Sequence, residues 1–248
     1  SVSIVQRIFS SCASAMKRHV VTASGNVKLV NLASNVGALA TSLTAGKGLI
    51  PLGLTAAVFS VAHSEASPQE VEALMPYGLC IGTHHTNATG TIVKYPECRG
   101  VCVDEAVNYN QQIYAELICD SRGIHVDPYM LRLVRKIKGD DRIILVSDRS
   151  YADAPNPPGY EHVTDINFDK WGDIAGSKLT LEVACRNWMK HTGASIVDAF
   201  RVGSYVPARA CGFYDRGEIR EGLKADLILV DFKMNVKTVI LNGSICKF

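Results

Sequence analysis

The chain has 248 residues, of which 47% are hydrophobic and 20% are charged, and its formal net charge is +2. These values are ordinary for a globular protein with a full core, and they give no electrostatic reason to expect nucleic acid as a partner. No uninterrupted run of 18 or more apolar residues occurs, so nothing in the sequence predicts a membrane-spanning helix.

The first 21 residues are predicted to form an amphipathic helix. Val2, Val5, Ile8 and Phe9 recur at helical spacing. The basic residues of this segment follow its apolar part instead of preceding it, which argues against a secretory signal peptide.

Short apolar runs rich in β-branched residues then alternate with segments of helical periodicity. The five runs are residues 27–33, 56–63, 79–85, 114–120 and 142–148. Two of the intervening segments carry signals for a helix start: Ser67 is followed by Glu70 at the capping-box spacing, and Asp127 is followed by Pro128. This alternation predicts βα units whose strands are buried on both faces in a barrel or open sheet.

The carboxyl-terminal part of the chain changes character. Residues 148–177 are rich in Pro, Asp and Gly and lack periodicity, which predicts a loop over the active face. Helices are expected over 179–192 and 195–212, the second interrupted at Pro207. The tail is strand-like again and predicts a hairpin or small sheet around the Asn242–Gly243 turn.

The eight cysteines are scattered, mostly in apolar runs, and form no zinc-ribbon CxxC pair. Cys98 and Cys102 are the closest pair, and with no histidine nearby we interpret them as packing thiols. Reduced cysteines of this kind indicate a cytoplasmic protein.

Polar side chains close four of the predicted strands, at His63, His84, Asp120 and Asp148. Barrel enzymes place catalytic groups at this end of their strands. The imidazoles of His63 and His84 could converge on one divalent metal ion, and Asp148 could take a proton from a metal-bound water and pass it to a leaving amine. Taken singly, each histidine is more typical of a hydrogen-bonded structural residue than of a ligand, and it is the pair at equivalent strand ends that favours metal. Asp148 is equally consistent with a helix cap or an ion pair with Arg149.

Two further residues are candidates for substrate contacts. His125 follows the fourth run and could polarise a carbonyl or bind a sugar hydroxyl, although a loop histidine beside a helix start is the plainer alternative. Arg99 could hold an anionic group in its forked guanidinium, although most arginines are simply solvated. His85 is expected to point away from His84.

Several motifs follow one another in a recognisable order: AHSEAS, GTHHTNATG, LICDSRGIHVDP, ILVSD, GDIAGSKLTL and DRGEIREGLKADLILVD. From about Asn26 to the end, this series resembles the N-acetylglucosamine-6-phosphate deacetylase family of the amidohydrolase superfamily. The resemblance implies an α/β fold: a partial (β/α)8 TIM-like barrel of a metal-dependent hydrolase over residues 1–214, with residues 215–248 forming a small C-terminal β-segment of the accessory β-sandwich.

The resemblance also implies an activity, namely hydrolysis of N-acetylglucosamine 6-phosphate to glucosamine 6-phosphate and acetate in amino-sugar catabolism. It implies a divalent metal ion, with zinc the first expectation and iron or another divalent ion the alternative, a cytoplasmic homodimer, and no nucleic acid or membrane partner. His63 and His84 resemble the two metal-binding histidines, and Asp148 resembles the catalytic aspartate. The positions that resemble substrate-contacting ones are Asn87, Ala88, Arg99, Arg122, Gly123, Ile124, His125, Ile174, Ala175 and Gly176.

One family feature has no counterpart in the sequence. Family members carry an earlier HLEGP-like segment whose glutamate completes the metal site, and it is not found before His63. Two alternatives therefore stay open beside the leading hypothesis. One is an amidohydrolase that acts on another N-acyl or cyclic amide substrate, and the other is an inactive truncated paralogue that keeps only part of the fold.

Overall fold

The computed structural model describes residues 20–23, 30–31, 58–87, 96–151 and 154–246. The predicted N-terminal helix lies outside these ranges except for its last two residues, Val20 and Val21, which belong to a strand instead. Within the described ranges, no helix has the length and apolar character needed to cross a membrane.

A six-stranded sheet forms the centre of the described structure, in the order β2-β1-β3-β4-β5-β6. Its strands are β1 (Val20–Ala23), β2 (Val30–Asn31), β3 (Val58–Val61), β4 (Leu79–Gly82), β5 (Tyr114–Ile118) and β6 (Ile143–Val146). All neighbouring pairs are parallel except β1 and β2. The predicted βα organisation is therefore confirmed, and the carboxyl ends of β3 to β6 lie along one edge of the sheet.

Helices connect these strands, and the first and third of them begin where the sequence predicts. They are α1 (Pro68–Leu74), α2 (Val103–Tyr109) and α3 (Pro128–Lys138). The capping box at Ser67 forms in both directions with Glu70. The Asp127 side chain accepts a hydrogen bond from the Tyr129 amide at 2.7 Å, which satisfies one of the unpaired amides of the first turn of α3.

The predicted loop over 148–177 contains two strands, and that prediction is wrong over part of its length. Strands β7 (Ile166–Phe168) and β8 (Ile174–Ser177) pair antiparallel, and all three residues of β7 are buried. Strands this short show too few alternating positions for periodicity to reveal them. Burial against the rest of the protein supplies what local sequence does not.

The helical region after β8 is confirmed, but its interruption begins before the proline. It comprises α4 (Leu181–Thr192), α5 (Ile196–Phe200), a π-helical turn at Arg201–Tyr205, and α6 (Val206–Ala210). Pro207 has no amide hydrogen, and its ring would clash with the carbonyl four residues earlier in a regular helix. The wider π turn immediately before it accommodates that ring.

The tail forms the predicted small sheet. Strands β9 (Leu227–Val230), β10 (Val236–Leu241) and β11 (Ser244–Ile245) pair antiparallel in the order β11-β10-β9. The turn between β10 and β11 contains Asn242 and Gly243, both at positive φ (48° and 78°). Two positive φ values in a two-residue hairpin turn favour an Asn-Gly pair, as the sequence indicates.

The main core lies between the sheet and its helices, and β4 approaches α2 closely within it. A Cβ atom on Gly82 would lie 2.7 Å from a methyl carbon of Val107, whose side chain is fully buried. Gly82 precedes the candidate metal ligand His84 by two residues. The absence of a side chain therefore lets α2 pack directly beneath the strand end that carries His84.

We expect Gly82→Ala to lower the free energy of unfolding by about 1–3 kcal/mol through overpacking. Val107→Ala should also destabilise the protein, because it leaves a cavity. The loss in the double variant should be smaller than the sum of the two single losses, since each change relieves the defect of the other. Denaturant unfolding measures all three, and strict additivity would contradict the proposed contact.

Candidate active site at the carboxyl ends of the parallel strands

Two histidines meet at the carboxyl ends of β3 and β4. His63 and His84 each follow their strand by two residues, and their Nε2 atoms lie 2.9 Å apart. Both have positive φ, 46° and 32°. This left-handed backbone is uncommon outside glycine, and strained residues of this kind cluster at functional sites.

A hydrogen bond to the backbone orients the ring of His84. Its Nδ1 lies 2.8 Å from the carbonyl oxygen of Asn87, which can only accept, so Nδ1 is the donor of this contact and Nε2 faces His63. The pKa of His63 is lowered, first by burial and second by His84, with the charge of Asp148 opposing both. Two imidazoles whose Nε2 atoms lie this close are ligands that suit a borderline divalent cation such as zinc.

Asp148 completes this arrangement from β6. It follows Val146 by two residues and also has positive φ, 45°. Its charge raises the pKa of His63, so its carboxylate lies within electrostatic range of the histidine pair. No helix begins after Asp148, since Arg149 forms an isolated bridge with Ser177, so the helix-cap alternative is wrong.

A buried carboxylate on β5 joins the site although the sequence analysis did not single it out. Glu116 is 7% exposed and accepts a hydrogen bond from the amide of His84. Burial raises the pKa of Glu116 to about 7. The hydrogen bond from His84 lowers this pKa, and the charge of Asp148 raises it further. The signal was one acidic residue inside the apolar strand YAELI, which is costly unless the carboxyl group has a partner.

Asp120 and His125 form a buried pair just beyond the end of β5. The Asp120 carboxylate accepts hydrogen bonds from the amides of Arg122, Ile124 and His125 and from His125 Nδ1, the last at 3.0 Å. Burial by itself raises the pKa of Asp120, but the hydrogen bonds from His125 and from the backbone outweigh it and lower this pKa to about 2. The imidazole of His125 is thereby held in one orientation, and its Nε2 lies 3.2 Å from the carbonyl oxygen of Gly176.

The structure brings together part of the predicted substrate-contacting set. The Asn87 side chain donates to the carbonyl oxygen of His125 at 3.1 Å, and β8, which contains Ile174, Ala175 and Gly176, contacts His125. These contacts join the Asn87, Arg122–His125 and 174–176 segments around the histidine pair. Ala88 lies outside the described residues.

Arg99 is placed differently. Its guanidinium forms an ion pair with Glu105 in the first turn of α2, and its side chain is 60% exposed. No described contact connects it to the histidine pair. His85 points away from His84, as predicted, with Nδ1 3.2 Å from Asp104 and Nε2 3.0 Å from Asn108.

The histidine pair supplies two candidate metal ligands in the part of the chain that the structure describes. Among those residues, no three His, Cys, Asp or Glu side chains are grouped so that they could hold one ion together. The assignment of His63 and His84 as metal ligands stays a prediction.

Comparisons with known proteins agree with this geometry. The amidohydrolase family pattern matches residues 133–246. This part of the chain is similar to that family. It is 29% identical over 197 residues to N-acetylglucosamine-6-phosphate deacetylase from Haemophilus influenzae, covering 75% of this chain and 50% of that protein. The enzyme of the same name from Bacillus subtilis is 31% identical over 140 residues, covering 52% of this chain and 34% of its own length.

Solved structures give the same relationship. N-acetylglucosamine-6-phosphate deacetylase from Thermotoga maritima superposes with a TM-score of 0.65 at 31% identity, covering 76% of this chain and 52% of that one. The Pasteurella multocida enzyme gives 0.66 at 26% identity, covering 77% and 51%. The resemblance drawn from the motif order is confirmed, as is an α/β fold with a parallel sheet. The chain spans about half the length of the relatives it matches.

The pKa of Asp120 predicts a pH dependence of stability. Because its folded-state pKa is about 2, below the ordinary 3.8, its stabilisation is fully present above pH 3.8 and is lost as the pH falls through about 2. We expect Asp120→Asn to reduce the free energy of unfolding by about 2 kcal/mol at pH 5–7.

Denaturant unfolding of both proteins across this range measures the effect. The difference between them should shrink as the pH falls from 4 to 2. A difference that stays constant down to pH 2 would show that the Asp120 carboxylate is not held in its charged form by these hydrogen bonds.

Proposed function

We propose that this chain acts as a metal-dependent hydrolase that releases acetate from N-acetylglucosamine 6-phosphate and leaves glucosamine 6-phosphate. The observation that carries the proposal is the convergence of His63, His84 and Asp148 at the carboxyl ends of parallel strands. Relatives that bear this name, at the similarity given above, support the choice of substrate. We expect a homodimer as the assembly.

His63 and His84 would hold the divalent ion through their Nε2 atoms. Two neutral imidazoles beside a carboxylate are a donor set that suits zinc first, with iron or another divalent ion as the alternative. When bound, such an ion supplies Lewis acidity and lowers the pKa of water toward neutrality.

The other steps fall to side chains of this chain. Asp148 accepts the proton of the attacking water and later donates it to the leaving amine. When both ring nitrogens of His125 carry hydrogen, Nδ1 donates to Asp120 and Nε2 can donate to the acetamido oxygen as negative charge develops there. Substrate contacts are assigned to Asn87, Ala88, Arg99, Arg122, Gly123, Ile124, Ile174, Ala175 and Gly176.

Arg99 is the residue proposed to hold the phosphate, although in the structure it is paired with Glu105. A phosphate dianion is a stronger partner for a guanidinium than an exposed carboxylate, so substrate would compete for this arginine. The pairing with Glu105 also favours a second candidate function, hydrolysis of an N-acyl or cyclic amide substrate that carries no phosphate.

Acetate release tests the chemistry. With zinc added, we expect the chain to release acetate from N-acetylglucosamine 6-phosphate, and Asp148→Asn to lower kcat by about 10²-fold or more because the base is lost. His84→Asn should lower both activity and bound metal, whereas His162→Asn, an exposed loop histidine, should change neither. A folded chain that binds zinc but releases no acetate would contradict the proposed substrate. A folded chain that neither binds zinc nor releases acetate would favour an inactive paralogue.

Substrate choice is tested at Arg99. We expect Arg99→Ala to raise KM for the phosphorylated sugar by about 10-fold or more, since a charged hydrogen bond is lost, and to leave KM for N-acetylglucosamine little changed. Arg220→Ala removes a similarly exposed arginine, paired with Glu218 at 3.3 Å, and serves as the control. An unchanged KM for the phosphorylated sugar in Arg99→Ala would favour the second candidate function.

A further inference from the structure

The turn that carries Asp148 is held on both sides by strand β8. The amide of Ser177 donates to the carbonyl oxygen of Asp148 at 2.9 Å, and the Ser177 hydroxyl donates to the carbonyl oxygen of Ser147. In return, the amide of Ser150 donates to the carbonyl oxygen of Ser177 at 3.0 Å. The positive φ of Asp148 is therefore supported by bonds to the residue itself and to both flanking segments.

The side chain of Asn167, on β7, forms hydrogen bonds with both the turn that carries Asp148 and strand β8. Its side chain is 1% exposed, and its amide nitrogen donates to the carbonyl oxygens of Ser150 and Ser177, each at 2.9 Å. The same nitrogen lies 2.8 Å from the hydroxyl oxygen of Ser150. That hydroxyl gives its own hydrogen to the carbonyl oxygen of Ala175, so it accepts from Asn167. All three contacts therefore require a nitrogen donor at this position.

The same strand also contacts the second group of the proposed mechanism. The carbonyl oxygen of Gly176 lies 3.2 Å from His125 Nε2. A Cβ atom on Gly176 would lie 2.8 Å from the carbonyl oxygen of Asp148, so β8 packs against the Asp148 turn with no space between them. A shift of β8 would move Asp148 and the contact of His125 together.

We propose that Asn167 is a positioning residue for Asp148, and that it sets the direction of this carboxylate by fixing β8 against residues 147–150. The inference rests on the proposed function, because it assigns Asn167 a role in proton transfer by Asp148. Asn167 contacts no reacting group. Its effect on the rate comes through the backbone of the turn.

Asn167→Asp tests the proposal with a side chain of the same size. It replaces the nitrogen donor by a carboxylate oxygen that faces the carbonyl oxygens of Ser150 and Ser177. The clamp, by which we mean the hydrogen bonds from the side chain of residue 167 to Ser150 and Ser177, is then lost, and the carboxylate repels both carbonyl oxygens. Asn156→Asp is the matched control, because Asn156 also donates to two carbonyl oxygens, those of Tyr160 at 2.9 Å and Val163 at 2.7 Å, and these two hydrogen bonds do not involve residues 147–150.

We expect Asn167→Asp to lower kcat for acetate release by about 10²-fold, with KM and bound zinc little changed, because a small misplacement of a catalytic group has a large effect on rate. Asn156→Asp should keep the kcat of the wild-type chain, even if both variants lose thermal stability. Equal kcat in the two variants, measured per folded molecule, would overturn the proposal. If Asn167→Asp does not fold, Ser150→Ala removes one of the three acceptors and should give a smaller fall in kcat.

Amide hydrogen exchange separates this inference from the proposed function. Loss of the clamp should speed exchange at Ser150 and Ser177 in Asn167→Asp but not in Asn156→Asp. A wild-type chain without acetate release would overturn the proposed function, and with it the role in catalysis, while faster exchange would still support the clamp. Unchanged exchange at both amides would overturn the clamp itself.

Discussion

The candidate site depends on the parallel pairing of β3, β4, β5 and β6. Parallel strands bring their carboxyl ends to one edge of the sheet, so residues far apart in sequence meet there without a long connecting loop. His63, His84 and Asp148 each stand two residues beyond a strand, and each turns into the left-handed region. The shared offset and the shared backbone turn place three side chains from three strands at the same edge of the sheet.

Such turns need support, because left-handed backbone is unfavourable for residues with a Cβ atom. At His84 the support comes from Glu116, whose side chain accepts from the His84 amide and whose carbonyl oxygen accepts from the amide of His85 at 2.7 Å. At Asp148 it comes from β8. In both cases a neighbouring strand, distant in sequence, holds the strained residue.

Two buried acidic residues show how hydrogen bonding decides the charge of a carboxyl group. Asp120 and Glu116 are both almost inaccessible to solvent, and burial raises the pKa of each. Four donors around Asp120 reverse that effect and keep it charged, whereas one amide at Glu116 does not. Asp120 therefore stays charged at neutral pH and keeps its hydrogen bond with His125. Glu116, whose pKa is raised to about 7, lies beside the histidine pair.

The sequence by itself determined the βα alternation, the helix starts at Ser67 and Asp127, the hairpin turn at Asn242–Gly243 and the histidines at the strand ends. These features are local: they depend on periodicity, on capping and on the residues that follow an apolar run. The motif order indicated the resemblance to the deacetylase family for the same reason, since it is a property of the chain read in one dimension.

Only the tertiary structure decided the rest. It placed the short strands β7 and β8 in the predicted loop, brought Glu116 into the site, paired Arg99 with Glu105 and set Asn167 against the Asp148 turn. Each of these depends on contacts between segments far apart in sequence or too short for a pattern. The physical reason is that burial and hydrogen bonding across the fold, and not local preference, stabilise these arrangements.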